Sequence, residues 1–478
     1  MKQGCYDIFY TPEGQYPGMP HGEMCGDLMP FYKDGTFTLL YLYKYCIYAV
    51  ETKDFVHYGH HRLVLQNGTP DEQDWHAATG SVVACGDRFY FYYTGFCETN
   101  RGEAGKFEQA ILRAVSTDLH QWKKDAKFFF PPDTAHYAPT HWRDPQIFWS
   151  EERQQYCMLV TAAEKDKPAC HAGCTALYTS VNCLQWAHEQ TLYAPRTFLT
   201  HECQDAFSVG GRWYLVFSNY TRQWETRYRV ADRFEGPWQL PPADDRFDGR
   251  MLYAAKTVSD GQNRYLVGWL SIRKDCRDAA PCVWGGNVVV HQLAPRPDGS
   301  LGTVMVPAIH DAFTAPQPLA LHPWEGRWTA VEGAYQGSSP DGFGWAGLGC
   351  CRGTCLFEGT FTWEAETAAF GLMLHTSGPM LEKWCQLRIE PKRGRIQLDR
   401  YNRIDGDQSY EDERPIAFTD RRARVQVILS GTILQAYVED VALTTRCYEI
   451  EQGGLGLFIE YGEVTCRTVK LLALPAAD

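Results

Sequence analysis

No stretch of this chain approaches the roughly 20 consecutive apolar residues of a membrane span. Its opening residues, MKQGCYDIFYTPEG, contain no apolar core of signal-peptide length. A membrane-embedded or exported protein is therefore not expected. Positive charge is also short: 46 Lys and Arg stand against 58 Asp and Glu, for a formal net charge of -12. Nucleic acid and anionic membranes both require a basic face, so neither is expected as a partner. Helix-length amphipathic segments are missing throughout. Cysteine is plentiful at 18 residues, but the spacing of metal sites is lacking. Cys170-His171-Ala172-Gly173-Cys174 and Cys350-Cys351-Arg352-Gly353-Thr354-Cys355 have neither two-residue spacing nor a matching second cluster. No metal and no cofactor are expected. Without an export signal the thiols should stay reduced, and a cytoplasmic location is expected.

Aromatic residues make up 14% of the chain, with 15 Trp and 27 Tyr. They favour strands and offer flat faces to sugar rings. Stretches such as YLVFS and FYFYYTG alternate with the strand period of two. They fall in five loose repeats, each opening strand, turn, strand: DLMPFYKDGTFTLLYLY, ATGSVVACGDRFYFYYTG, RDPQIFWSEERQQYCMLVTAA, CQDAFSVGGRWYLVFSNY and AAKTVSDGQNRYLVGWL. Repeats of about 50 to 65 residues with four strands each predict propeller blades. The fold expected is all-β: a five-bladed β-propeller over residues 1–310, a Pro-rich linker over 311–324 and a C-terminal β-sandwich over 325–478.

Three acidic motifs sit at nearly the same point of this repeat: Gly26-Asp27-Leu28-Met29-Pro30, Trp142-Arg143-Asp144-Pro145 and His201-Glu202-Cys203-Gln204-Asp205. The innermost strand of each blade lines the central channel and begins at one mouth. Asp27, Asp144 and Glu202 should therefore converge there. Crowded carboxylates push at least one pKa upward, giving an acid beside an ionised base. A retaining glycosidase uses two such groups roughly 5 Å apart. A single Asp near a strand start is ordinarily a turn or cap residue, and it is the matched phase that points to a shared site.

The motifs resemble those of glycoside hydrolase family 32, the invertase, inulinase and levanase group of β-fructosidases. WRDPQIFW looks like the family's Arg-Asp-Pro motif and HECQDAF like its Glu-Cys-x-Asp motif; TGSV from Thr79, YTG from Tyr93, DLHQW and YAAKT from Tyr253 are also similar. So are QLRIEP, RIQLDR, ERP, ILSGTILQAYVED and GLGLF downstream. The resemblance implies Asp27 as nucleophile, Glu202 as general acid/base and Asp144 as transition-state stabiliser. Arg143 and Asp205 would hold hydroxyls or tune Glu202, although Arg143 reads equally well as a structural ion-pair partner. Ser81, Trp75, Lys256 and Trp284 complete the expected substrate-binding set. For Trp75, Trp142, Trp269 and Trp284, and for Lys256 and His201, core packing competes with ligand contact.

Two departures stand out. Where the family has Trp-x-Asn-Asp-Pro-Asn-Gly, this chain has Met24-Cys25-Gly26-Asp27-Leu28-Met29-Pro30, and a Gln common in the next strand is replaced by Leu42. The expected activity is release of fructose from short β-fructofuranosides by double displacement, with a small carbohydrate as partner. Two alternatives stay open: a propeller glycosidase acting on arabinosides or xylosides, and a catalytically silent sugar-binding homologue.

Overall fold

The computed structural model describes residues 6–12, 24–103, 105–401, 412–448 and 453–475. Much of the opening segment from which the absence of a leader was read lies outside the described residues. Five small antiparallel sheets follow one another along the chain, and their first strands are Gly26–Lys33, His76–Cys85, Arg143–Ser150, Glu202–Val209 and Leu252–Ser259. Each first strand abuts those of the two neighbouring sheets, and the fifth abuts the first, so the ring closes. The five-bladed propeller is thus as expected, and we number the blades I to V in chain order.

The closing seam is sewn by the N-terminal segment and blade V. Val288 N–H donates to Tyr10 O at 2.9 Å and Gly286 N–H to Cys25 O at 2.8 Å, while Asp7 N–H donates to Val56 O of blade I at 2.9 Å. Apolar side chains on alternate positions, among them Leu39, Tyr41, Val267 and Val289, fill this end of the ring.

Blades I, II, III and V have four strands, but blade IV has three: Glu202–Val209, Arg212–Asn219 and Glu225–Ala231. In place of a fourth strand, only the isolated pairs Arg227 with Arg246 and Val230 with Gln239 form. The expectation of four strands per unit fails here because Pro237, Pro241 and Pro242 interrupt the segment. Proline carries no N–H to donate to a ladder.

The C-terminal part forms two layers joined by shared strands. One layer contains Ala369–Thr376, Trp384–Glu390, Arg395–Tyr401 and Asp412–Pro415; the other contains Cys355–Trp363, Arg422–Ser430, Ile433–Val438 and Val441–Arg446. Gly454–Ala473 pairs with Ala369–Thr376 through its first half and with Cys355–Trp363 through its second, which makes one nearly continuous 13-stranded sheet wrapped around a core. Phe357, Leu372, Leu387, Val427 and Leu457 meet inside it, each burial contributing about 2 kcal/mol. Among the described residues the one α-helix is Pro307–Asp311, and no helix is long and apolar enough to cross a membrane.

Blade V carries the sandwich through a buried polar cluster. The Asp248 carboxylate accepts from Gly249 N–H (2.6 Å), Thr444 N–H (2.6 Å), Thr444 Oγ1 (2.5 Å) and His291 Nε2 (2.9 Å). His291 Nδ1 meets Tyr437 Oη at 2.8 Å. Burial alone would raise the Asp248 pKa, but these donors, His291 foremost, hold it below the ordinary carboxylate range. Asp248→Ala should cost about 3 kcal/mol in urea unfolding, because several buried donors lose their acceptor. Tyr437→Phe removes one neutral bond and should cost about 1 kcal/mol.

Candidate active site

Every blade starts its inner strand with a register irregularity at the same height. The pairing slips between Gly26 and Met29, between Ala78 and Gly80, opposite Arg143 to Gln146, between Glu202 and Asp205, and between Tyr253 and Lys256. In four blades a non-glycine residue at the slip is left-handed: Asp27 (φ 48), Asp144 (φ 55), Cys203 (φ 49) and Ala254 (φ 50). Such residues cost roughly 1 kcal/mol or more each and cluster where a bulge re-aims side chains. Here they turn the strand heads into the channel mouth. Asp27 and Asp144 occupy the left-handed position itself. Glu202 stands one residue earlier, in phase with Arg143, and its longer side chain covers the difference.

Asp27 accepts from Thr79 Oγ1 at 2.6 Å and from Trp269 Nε1 at 3.1 Å. Glu202 accepts from Arg143 Nη2 at 2.8 Å and from Tyr253 Oη at 2.5 Å. Asp144 Oδ2 accepts from Cys203 N–H at 2.9 Å, and Asp144 N–H donates to Thr94 Oγ1 at 2.8 Å. The carboxylates expected to converge share one compartment. Burial raises the Asp27 pKa, Thr79 opposes that rise, and the Glu202 charge adds to it. Asp144 is pushed up to about 6, by burial first, with Arg143 opposing and Glu202 and Asp27 adding.

Arg143 is a clamp on this group. It donates to Glu202, to Thr200 Oγ1 (3.0 Å), to Gln109 Oε1 (3.4 Å) and to His141 Nδ1 (2.8 Å). His141 accepts and is therefore neutral, its pKa lowered to about 4 by burial and by Arg143. The Tyr220 hydroxyl lies beside Arg143 and Glu202, with part of the ring exposed. On the other side Trp284, Trp269, Trp224 and Tyr253 form an aromatic wall, with ring centroids 5.9, 5.5 and 5.0 Å apart in that order.

The remaining expected residues divide. Trp284 stands at the mouth against Gly26. Trp75 sits on the rim of blade II, packed on His76 at 4.9 Å. Ser81 is committed to Pro145 O and Ile147 N–H, both at 2.9 Å, and ties blade II to blade III. Asp205 accepts from Thr257 N–H at 2.8 Å and from its hydroxyl at 2.5 Å, tying blade IV to blade V. Lys256, 2% exposed, reaches across the channel to Gly80 O and Gln146 Oε1, both at 2.9 Å. Its charge lies near Asp144, Asp205 and Asp27, beneath the mouth. Trp142 and His201 are fully buried packing residues. Thr79, Tyr253 and Trp269 hold the carboxylates directly. Thr79 and Tyr253 had a signal in the sequence, since they stand at strand heads in phase with Asp27 and Glu202.

Residues 29–293, more than half of the chain, match the Glycosyl hydrolases family 32 N-terminal domain. The chain belongs to glycoside hydrolase family 32. The matched region includes Asp144 and Glu202 and begins two residues after Asp27, so the case for Asp27 rests on its geometry. A sucrose-6-phosphate hydrolase of Escherichia coli is 24% identical over 54% of this chain and 54% of its own length, and one of Bacillus subtilis is 26% identical over 49% and 50%. The chain thus spans about half the length of the curated relatives it matches. Among solved structures, exo-inulinase from Aspergillus awamori superposes with TM-score 0.73 at 14% identity, covering 100% of this chain and 99% of that one. Sucrose-6-phosphate hydrolase from Lactobacillus gasseri gives 0.71 at 15%, covering 98% and 99%. The family 32 fold therefore extends through the sandwich.

A raised Asp144 has a consequence for stability. The folded protein holds that proton more tightly than the unfolded chain, so the stabilisation is present below the ordinary value and is lost as pH climbs through about 6. Asp144→Asn should therefore gain on the parent by about 2 kcal/mol between pH 4 and pH 7.5, read as the difference between the two thermal unfolding curves.

Proposed function

We propose that the protein is a retaining β-fructosidase that releases fructose from short β-fructofuranosides. The observation that carries this reading is the pairing at the mouth: Asp27 gripped by Thr79 and Trp269, and Glu202 gripped by Tyr253 and Arg143, each within the other's field. The named activity of the sequence relatives, sucrose-6-phosphate hydrolysis, supports a fructoside as substrate and admits a phosphorylated one.

In the first step an Asp27 oxygen attacks the anomeric carbon, and the bond to the leaving oxygen breaks as Glu202 gives that oxygen its proton. The product is a fructosyl ester on Asp27. In the second step Glu202 takes a proton from water, the water oxygen bonds to the anomeric carbon, and the Asp27 ester bond breaks. Asp144, beside Arg143, holds sugar hydroxyls as positive charge develops on the ring. Two carboxyl groups suffice for this chemistry, and no cofactor enters it. The cytoplasmic setting read from the sequence belongs to the same proposal.

Arabinoside or xyloside hydrolysis is less well supported, since the family match and the named relatives point to fructosides. A silent binding protein would have no use for a matched pair of carboxylates, one of them on a strained left-handed residue.

Asp27→Ala and Glu202→Ala should each lower kcat on sucrose or its 6-phosphate by at least about a thousandfold while leaving affinity for the substrate in place. Fructose should first appear in the anomeric form of the substrate, observed by NMR before mutarotation. Inverted product would favour the pentosidase reading, and no turnover in the parent would favour the binding reading. Thr79→Val removes a donor that holds the Asp27 pKa down. The acid limb of kcat/KM should then move to higher pH by about one unit, and Thr79→Ser should restore it.

A further inference from the structure

The strands Arg212–Asn219 and Glu225–Ala231 of blade IV are joined at the end where Glu202 pairs with Ser218, so residues 220–224 lie at the channel mouth. Both ends of this connection belong to the site. The Tyr220 hydroxyl stands beside Arg143 and Glu202, and the Trp224 ring packs on Tyr253 at 5.0 Å and on Trp269 at 5.5 Å. Two residues between them are pinned. Thr221 Oγ1 accepts from Leu199 N–H at 2.9 Å, and Gln223 Nε2 donates to Glu225 Oε1 at 2.6 Å. Arg222 is the exception: it is exposed, and among the described residues its guanidinium has no hydrogen-bond or ion-pair partner.

An exposed arginine is ordinarily a solvated charge. Two circumstances give this one a role. The first is its side of the site. Glu202 gives its proton to the leaving oxygen, so the leaving group sits on the Glu202 side, beside residues 220–224. The second is charge. Asp27, Asp144 and Glu202 crowd the mouth, and the cations closest to them are committed: Arg143 to Glu202, Thr200 and Gln109, and Lys256 to Gly80 O and Gln146 Oε1. A substrate with a negative charge of its own is repelled there unless a further cation takes that charge away from the carboxylates. Arg222 is such a cation, on a connection whose other residues are anchored around the acid/base.

We propose that Arg222 is a specificity-determining residue that grips a phosphate carried by the leaving group, so the preferred substrate is a fructoside whose departing sugar is phosphorylated. This rests on the β-fructosidase reading and deepens it. The planar guanidinium offers parallel N–H donors to two phosphate oxygens. The phosphate is remote from the bond that breaks, so the contact is the same in the bound state and in the transition state. It therefore acts on KM rather than on kcat. A phosphate on the fructosyl unit goes with the Asp27 side and gains nothing from Arg222.

The test measures kcat/KM on sucrose, on sucrose phosphorylated at O6 of its glucose, and on sucrose phosphorylated at O6 of its fructose. The parent should prefer the glucose-phosphorylated form to sucrose by about tenfold at low ionic strength, and added salt should shrink that preference by screening an exposed charge. Arg222→Gln should abolish the preference through KM. Arg222→Lys should keep part of it, since the charge remains without the fork, and Arg222→Glu should turn it into discrimination against the phosphate. No preference in the parent, a ratio in Arg222→Gln equal to the parent's, equal losses on sucrose and its glucose phosphate, or the same gain on the fructose-phosphorylated form would each overturn the proposal. A parent that cleaves none of the three would instead sink the β-fructosidase reading itself, so the two failures are told apart.

Discussion

The structure depends on the slip at the head of each inner strand. A regular strand sends successive side chains to opposite faces, so a strand running down the channel wall cannot present consecutive residues to its mouth. A bulge releases that constraint at the cost of local strain. Four left-handed residues in a ring, Asp27, Asp144, Cys203 and Ala254, show that the cost is met repeatedly in one layer. The blades hold those residues in place: Ser81 binds blade III, Asp205 binds blade V, and Lys256 spans the channel to blades II and III. Each of these polar links is buried, where an unmade hydrogen bond is expensive.

The same burial creates the electrostatics. Dry surroundings raise the pKa values of Asp27 and Asp144, and the charge of Glu202 adds to both. Arg143 opposes this from one side and Lys256 from below. Hydrogen bonds from Thr79 and Trp269 to Asp27, and from Tyr253 to Glu202, then give these two carboxylates different environments. The aromatic wall contributes to this grip, because Trp269 and Tyr253 donate hydrogen bonds while their rings pack on Trp224.

Family resemblance and departure have separate physical sources. Arg143, Asp144 and Glu202 lie in motifs retained with their neighbours, and they form one hydrogen-bonded group across blades III and IV. Blade I departs from the usual pattern at Gly26 and Leu42, where the volume is taken up by apolar packing and by an indole from blade V. The departure is thus a redistribution of who fills the space beside Asp27, with the carboxylate kept.

Period-two alternation, turn residues and five recurring units were legible along the chain, since a strand pattern is local and its repeat count needs no coordinates. They determined the all-β class, the five blades and the convergence of Asp27, Asp144 and Glu202. The three-stranded form of blade IV was written in Pro237, Pro241 and Pro242 and could have been read there. Other outcomes belong to contacts between residues far apart in sequence. Trp284 lies on Gly26 across 258 positions, Asp248 meets Thr444 across domains, and Lys256 and Asp205 turn to neighbouring blades. Sequence determined which residue types stand at the mouth. Tertiary structure alone decided which of them hold the carboxylates and which tie the ring, because a side chain's partner depends on the bulge that aims it and the blade that closes against it.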